Sequence, residues 1–134
     1  MKRAVSELMK ILKALMPVVA LMSCAAAPLP DERTIPERFR GEWNSNPADC
    51  GTPDNDSVMV IAADRIDFYE SSGRVRGAFL DGADQVLIVL EVSGEEETST
   101  TALRLGVSAD GSRLTEYSES VEPFVRRRCP ATSR

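Results

Sequence analysis

The chain has 134 residues, enough for one folded domain once any targeting segment is set aside. It has no histidine, so Ser-His and Cys-His catalysis, the commonest zinc ligand and any side chain titrating near neutrality unaided are all missing. Its formal net charge of −5 would be repelled by phosphate backbones, which excludes nucleic acid as an expected partner, and no cofactor is expected.

The first 23 residues have the form of a signal peptide. Lys2, Arg3, Lys10 and Lys13 supply a basic start, and Ala14 to Met22 supply an apolar core too short to cross a hydrocarbon layer of roughly 30 Å as a helix. Met9 to Cys24 already makes a complete signal of this kind, so Met9 is an alternative start to Met1. Leu21-Met22-Ser23-Cys24 resembles the bacterial lipobox. That resemblance implies a diacylglycerol on the Cys24 thiol, cleavage before it and an acylated amino terminus, with palmitate as a typical chain. Two or three acyl chains, at about 0.8 kcal/mol per buried methylene, hold a protein on a bilayer essentially permanently. Ala25 after the cysteine resembles lipoproteins passed on to the outer membrane, so the expected location is the cell envelope, lipid-anchored and facing the periplasm. Simple secretion with a cut near Ala25 or Ala27 is the alternative, and Pro28 makes that cut poor. Residues 24–134 carry twelve basic and twenty acidic side chains, hence a net charge of −8, and every one of these cations is arginine.

Residues 24–36 read as a lipidated tether, since Ala25 to Pro36 is small, proline-bearing and without hydrophobic period. Residues 37–134 read as an all-β domain. Arg40 to Asn44 carries Trp43, the only tryptophan, and is followed by a polar loop, Ser45 to Asp56, that contains Cys50. Val58 to Ala62 and Arg65 to Glu70 form a hairpin about Ala63-Asp64. Ser72-Gly73 is expected to turn the chain into Arg74 to Leu80, with Val75, Gly77 and Phe79 on one face and Arg74 and Arg76 on the other. Gln85 to Val92, apolar on both faces through its middle, should be the most buried strand. The acidic loop Glu95 to Glu97 leads into Ser99 to Val107, where Leu103 and Leu105 point inward. Asp110-Gly111 predicts a type I′ hairpin, with positive φ at both residues, feeding Arg113 to Ser118. Phe124 to Cys129 closes the series. Seven or eight strands at this spacing predict a small antiparallel β-barrel or sandwich.

With Cys24 assigned to lipid, Cys50 and Cys129 form an even pair, which in an oxidising compartment reads as a disulfide. A metal or redox site is the weaker reading, because neither a C-x-x-C spacing nor a histidine supports it. The acidic residues do not assemble into an acid and base pair: Asp67 and Glu70 fall on opposite faces, and Glu95 to Glu97 form a solvated run. No enzymatic activity is therefore expected. Arg126-Arg127-Arg128 is the one basic cluster, with Arg126 and Arg128 on one face as a candidate docking point for a carboxylate-bearing partner and Arg74 and Arg76 as candidates to lie nearby.

Gly41-Glu42-Trp43 resembles the G-x-W of lipocalins and of small periplasmic inhibitor barrels, in which the tryptophan closes one end of the barrel. The lipocalin arginine motif is not evident later in the chain. Ile35 to Gly73, "IPERFRGEWNSNPADC" with "IAADRIDFYESSG", is similar to small exported alphaproteobacterial proteins with no established activity. Together these readings predict a noncatalytic periplasm-facing lipoprotein that binds a protein or envelope component. Its concrete form is a hydrolase inhibitor using Ser45 to Asp56, with a lipocalin-like carrier of a small apolar ligand as the alternative. The expected partners are thus a membrane, through the lipid, and a protein.

Overall fold

A computed structural model describes residues 32–52, 55–94 and 97–131; Cys24 and the expected signal segment lie outside them. The chain forms eight strands: β1 (Gly41–Asn44), β2 (Met59–Ile61), β3 (Arg65–Phe68), β4 (Ser72–Asp81), β5 (Gln85–Ser93), β6 (Thr98–Val107), β7 (Arg113–Tyr117) and β8 (Phe124–Arg128). Each pairs antiparallel with its neighbour in sequence, and β1 pairs with β8, so the sheet is a closed up-and-down barrel. Closure removes the free edges that an open sheet would expose.

The inward face follows from the period of two. Val86, Ile88 and Leu90 of β5 are fully buried and alternate with half-buried Leu87 and Val89, which makes β5 the spine of the core. Met59, Ile61, Ile66, Leu105 and Leu114 complete it, with Phe68, Val92 and Leu103 packed against the margin. Leu103 and Leu105 point inward as their spacing predicts.

The chain departs from its sequence pattern at three places. Ser72 and Gly73 already belong to β4, and the turn sits at 69–70, where the Phe68 N–H donates to Ser71 O at 2.8 Å. Gly73 is inside the barrel because Leu90 fills the space a side chain would need: an added Cβ would stand 3.2 Å from the Leu90 side chain. A β-bulge between Val75 and Gly77 then reverses the alternation, so Val75 and Ala78 face inward while Gly77 and Phe79 face outward. Phe79 is 44% exposed, and its ring lies over Gly77. The third change is at Asp110-Gly111. Only Gly111 has positive φ, at 71°, and its N–H donates to Ser108 O at 2.8 Å, so the connection is a turn closed by one left-handed glycine rather than type I′.

Asp110 braces that turn by accepting from Ser108 Oγ (2.6 Å), the Ser112 N–H (3.0 Å) and Ser112 Oγ (2.8 Å). These donors, Ser108 first, lower its pKa from 3.8 to about 2. A folded-state pKa below the unfolded value contributes stability above about pH 4, and that stability disappears as pH falls through 2. Asp110→Asn is therefore expected to lower the melting temperature at pH 5 to 7 and to converge with the parent chain near pH 2. A gap of constant size across a calorimetric pH series would contradict this.

One end of the barrel, the base, is plugged by the segment that precedes β1. Ile35, Phe39 and Trp43 are each fully buried there, and the turn Glu37–Phe39 is a short 3-10 helix. The Ile35 N–H donates to Ala63 O (2.8 Å), and the Ala78 N–H donates to Glu32 O (2.5 Å). Residues 32–36 thus belong to the folded base and not to the tether expected through residue 36. The physical reason is Ile35, whose side chain has more to gain inside the barrel than in solvent.

Candidate functional site

The two ends of the barrel differ in chemistry, and β8 supplies an arginine to each. Arg126 and Arg128 share the inward face of β8, as alternation predicts, while Arg127 is exposed. At the base, Arg128 stacks on Trp43 with its guanidinium carbon 4.1 Å from the ring centroid. Its Nε donates to Gly111 O (2.7 Å), and its terminal nitrogens donate to Arg40 O and Arg38 O, both at 2.6 Å. Trp43 Nε1 donates in turn to Phe39 O at 2.9 Å. Burial pulls the Arg128 pKa below the usual arginine value, and three carbonyls with an aromatic face replace the lost water. Arg128 is in this way the bolt that holds the base plug to the last strand.

Arg126 lies toward the mouth, the opposite end, and is only 8% exposed. Its Nε donates to Ser57 O (2.8 Å), one terminal nitrogen donates to Glu116 Oε2 (2.7 Å), and its guanidinium stands 4.5 Å from the Phe124 ring centroid. It forms the floor of a cleft of about 500 Å³. Ser45, Asp56 and Ser57 line one lip, and Ser118, Val121, Glu122 and Phe124 line the other. An adjoining cleft adds Asp49, Asn55 and Tyr69. Across both clefts Asp49, Asp56, Glu116 and Glu122 face one arginine, which is already paired with Glu116. The arrangement suits a cationic group with an apolar stem: carboxylates at the rim, Val121 and Phe124 as walls.

The first lip is a braced loop. Asn46 caps the short 3-10 turn Pro47–Asp49 by accepting from the Ala48 N–H (3.1 Å). Cys50 is disulfide-bonded to Cys129, and the Gly51 N–H donates to Glu42 Oε1 at 2.8 Å. Asn44, fully buried, accepts from Asn55 Nδ2 (2.5 Å) and from Ser57 Oγ (3.3 Å). These bonds fold the loop back over the outside of β1. Glu42, Cys50 and Cys129 bring ligand atoms within 4.8 Å of one another, but both sulfurs are spent in the disulfide and offer no thiolate to a metal.

Of the residues singled out in the sequence, Cys50 and Cys129 are brought together as a disulfide. Arg126 and Arg128 share a face, yet that face is the interior, and each guanidinium is tied to partners within the chain. Arg74 and Arg76 are not beside them, because β4 stands four strands from β8 in either direction. Arg76 pairs with Glu91 (2.6 Å), and Arg74 shares a separate cleft with Asp64 and Arg65. Nothing in the alternation of β8 marks Arg128 as the partner of Trp43. The available signal was Cys129, which returns β8 to the neighbourhood of β1 and so brings the residue before it to the tryptophan. The clefts described here open at the surface, and none is lined by Met59, Ile88, Leu90 or Leu105.

No family model matches the chain, and neither a curated protein nor a solved structure shows significant similarity to it.

Proposed function

We propose that the chain is a noncatalytic binding protein of the cell envelope, anchored in the outer membrane through lipid on Cys24 and facing the periplasm. In this reading the partner is a cationic protein, and the barrel mouth receives one of its lysine or arginine side chains. The observation that carries it is the mouth itself, where four carboxylates and two apolar side chains line adjoining clefts beside a loop already fixed in shape. A loop held by a disulfide and by buried hydrogen bonds loses little entropy on docking, which is the economy a hydrolase inhibitor needs. An acidic protein also draws a cationic partner by long-range attraction that salt weakens.

The lipocalin-like carrier draws support from the barrel form. A carrier needs an enclosed cavity of several hundred Å³, and the interior here is occupied by Trp43, Met59, Ile66, Ile88, Leu90, Leu105 and Leu114. The protein-binding reading uses the space that is open.

Two arms test the proposal. The purified chain, with its disulfide intact, is titrated against basic lysozymes and serine proteases. Stoichiometric inhibition of one of them is expected, weakened by added salt and by Asp56→Arg at the lip; no inhibition at large molar excess removes the inhibitor reading. In cells, Cys24→Ser is expected to release the chain from the membrane fraction, and unchanged fractionation removes the anchor.

A further inference from the structure

β5 is apolar on both faces, and closure of the barrel covers only one of them. Val86, Ile88 and Leu90 fill the interior, whereas Leu87 and Val89 point outward and are only half-buried. The strand registers show what surrounds them. Leu87 lies opposite Phe79 of β4 and Arg104 of β6, and Arg104 lies opposite Tyr117 of β7. Val89 lies opposite Gly77 and Ala102. Phe79, Leu87, Val89, Ala102 and Tyr117 therefore form one outward patch across four strands, in which Phe79 is 44% and Tyr117 40% exposed. Each ring lies over a glycine, Phe79 over Gly77 and Tyr117 over Gly106, which holds both against the sheet. The bulge between Val75 and Gly77 is what brings Phe79 out to join them.

This side of an acidic domain is electrically balanced. Its carboxylates, Asp81 and Glu91, are each paired with an arginine of the same face, Arg104 at 3.7 Å and Arg76 at 2.6 Å. The patch shares no residue with the clefts at the mouth. A contiguous exposed apolar patch marks a contact surface, and the path of the chain says with what. The Ala78 N–H donates to Glu32 O, so the segment leading into the barrel runs beside β4 one residue from Phe79. Seven residues, 25–31, separate Cys24 from Glu32, and those eight steps reach at most about 28 Å when fully extended. With lipid on Cys24, the patch stays close to the headgroups.

We propose that the outer face of β4 to β7 around Phe79, Leu87 and Val89 is a membrane-contact surface, seated on the bilayer that carries the anchor. The inference rests on the proposed acylation of Cys24 and adds an orientation to it. Phe79 and Tyr117 supply aromatic rings, which favour the boundary between headgroups and acyl chains, and Leu87 and Val89 supply the apolar floor between them. Arg104, half-exposed and only loosely engaged by Asp81, is placed to meet a lipid phosphate. So few side chains would hold a free protein on a bilayer only weakly. The tether makes the contact intramolecular, at an effective concentration of about a millimolar, so a weak contact is populated once the anchor is in place. The barrel then lies on its side wall, and its mouth stays open to a partner outside the bilayer.

The test uses the chain purified from membranes and reconstituted in phosphatidylcholine vesicles with brominated acyl chains, after its acyl mass has been measured. Trp43 is fully buried and gives the background emission. Phe79→Trp adds a reporter in the patch, and Val60→Trp adds one on the outward face of β2, across the barrel. The Phe79→Trp reporter is expected to lose about half its emission to bromine, because a ring at the headgroup–acyl boundary sits about 5–10 Å into the bilayer, and the Val60→Trp reporter to lose little. Adding Leu87→Glu and Val89→Glu to the Phe79→Trp chain should restore the emission while the chain still floats with the vesicles; should that variant fail to fold, the comparison of the two reporters decides alone. A chain that carries no acyl mass and does not float overturns the anchor, and this inference with it. A chain that is acylated and floats, yet shows no quenching or equal quenching of the two reporters, leaves the anchor standing and overturns the membrane face. A blue shift of the Phe79→Trp reporter that grows with the density of chains, without quenching by bromine, gives the patch to a second copy and overturns it too.

Discussion

Replacing both Cys50 and Cys129 by serine is expected to lower the melting temperature by about 20 °C. The disulfide joins residues 79 apart, binding the loop after β1 to the residue that follows β8. Cross-linking a loop of that length restricts the unfolded chain and contributes about 4 kcal/mol in the chain-entropy account. For a domain of this size each kcal/mol shifts the midpoint by about 4–8 °C. The bond also fastens the braced loop over β1, although Gly51, Asn55 and Ser57 keep their own contacts to Glu42 and Asn44. Calorimetry of the oxidised chain against the double serine variant, with a reductant-treated parent as a check, measures the effect. A difference of only a few degrees would show that the unfolded chain is already constrained without the bond.

Loss of the Arg128 guanidinium is expected to be the next most damaging change. Arg128→Met keeps much of the stem but removes the donors to Arg38 O, Arg40 O and Gly111 O and the stack on Trp43. At about 1 kcal/mol net for each hydrogen bond, the cost comes to about 3 kcal/mol. Arg128→Lys should recover less than half of it, because one ammonium cannot reach three diverging carbonyls and lie flat on the indole at once. Urea denaturation followed by the fluorescence of Trp43, the sole tryptophan, reads both effects. In Arg128→Met its emission should also shift to the red before global unfolding, as the base plug loosens. Full rescue by lysine would mean that charge rather than the fork of the guanidinium holds the plug.

The two arginines of β8 illustrate how far a sequence reaches. Alternation along β8 places Arg126 and Arg128 on one face and Arg127 on the other, and the structure agrees. Alternation does not say which face is inside. A strand carrying three arginines reads as solvated, and only closure of β8 against β1 turns two of them toward the interior. Phe79 shows the same limit in reverse. Its spacing from Val75 points it inward, and a single bulge, invisible as a pattern, sends it out over Gly77.

What the sequence determined by itself is local: where the strands run, that β5 is apolar on both faces, that the two cysteines left after Cys24 make an even pair, and that no histidine chemistry is available. A period of two, a glycine beside an aspartate and a count of cysteines are properties of neighbours along the chain, and they survive without a tertiary context. The tertiary structure decided the rest: closure as a barrel rather than a sandwich, the plug of Ile35, Phe39 and Trp43 bolted by Arg128, and the acidic mouth floored by Arg126. Each of these depends on the register between strands distant in sequence. Register is set by how all eight strands share one interior, so no segment carries it alone.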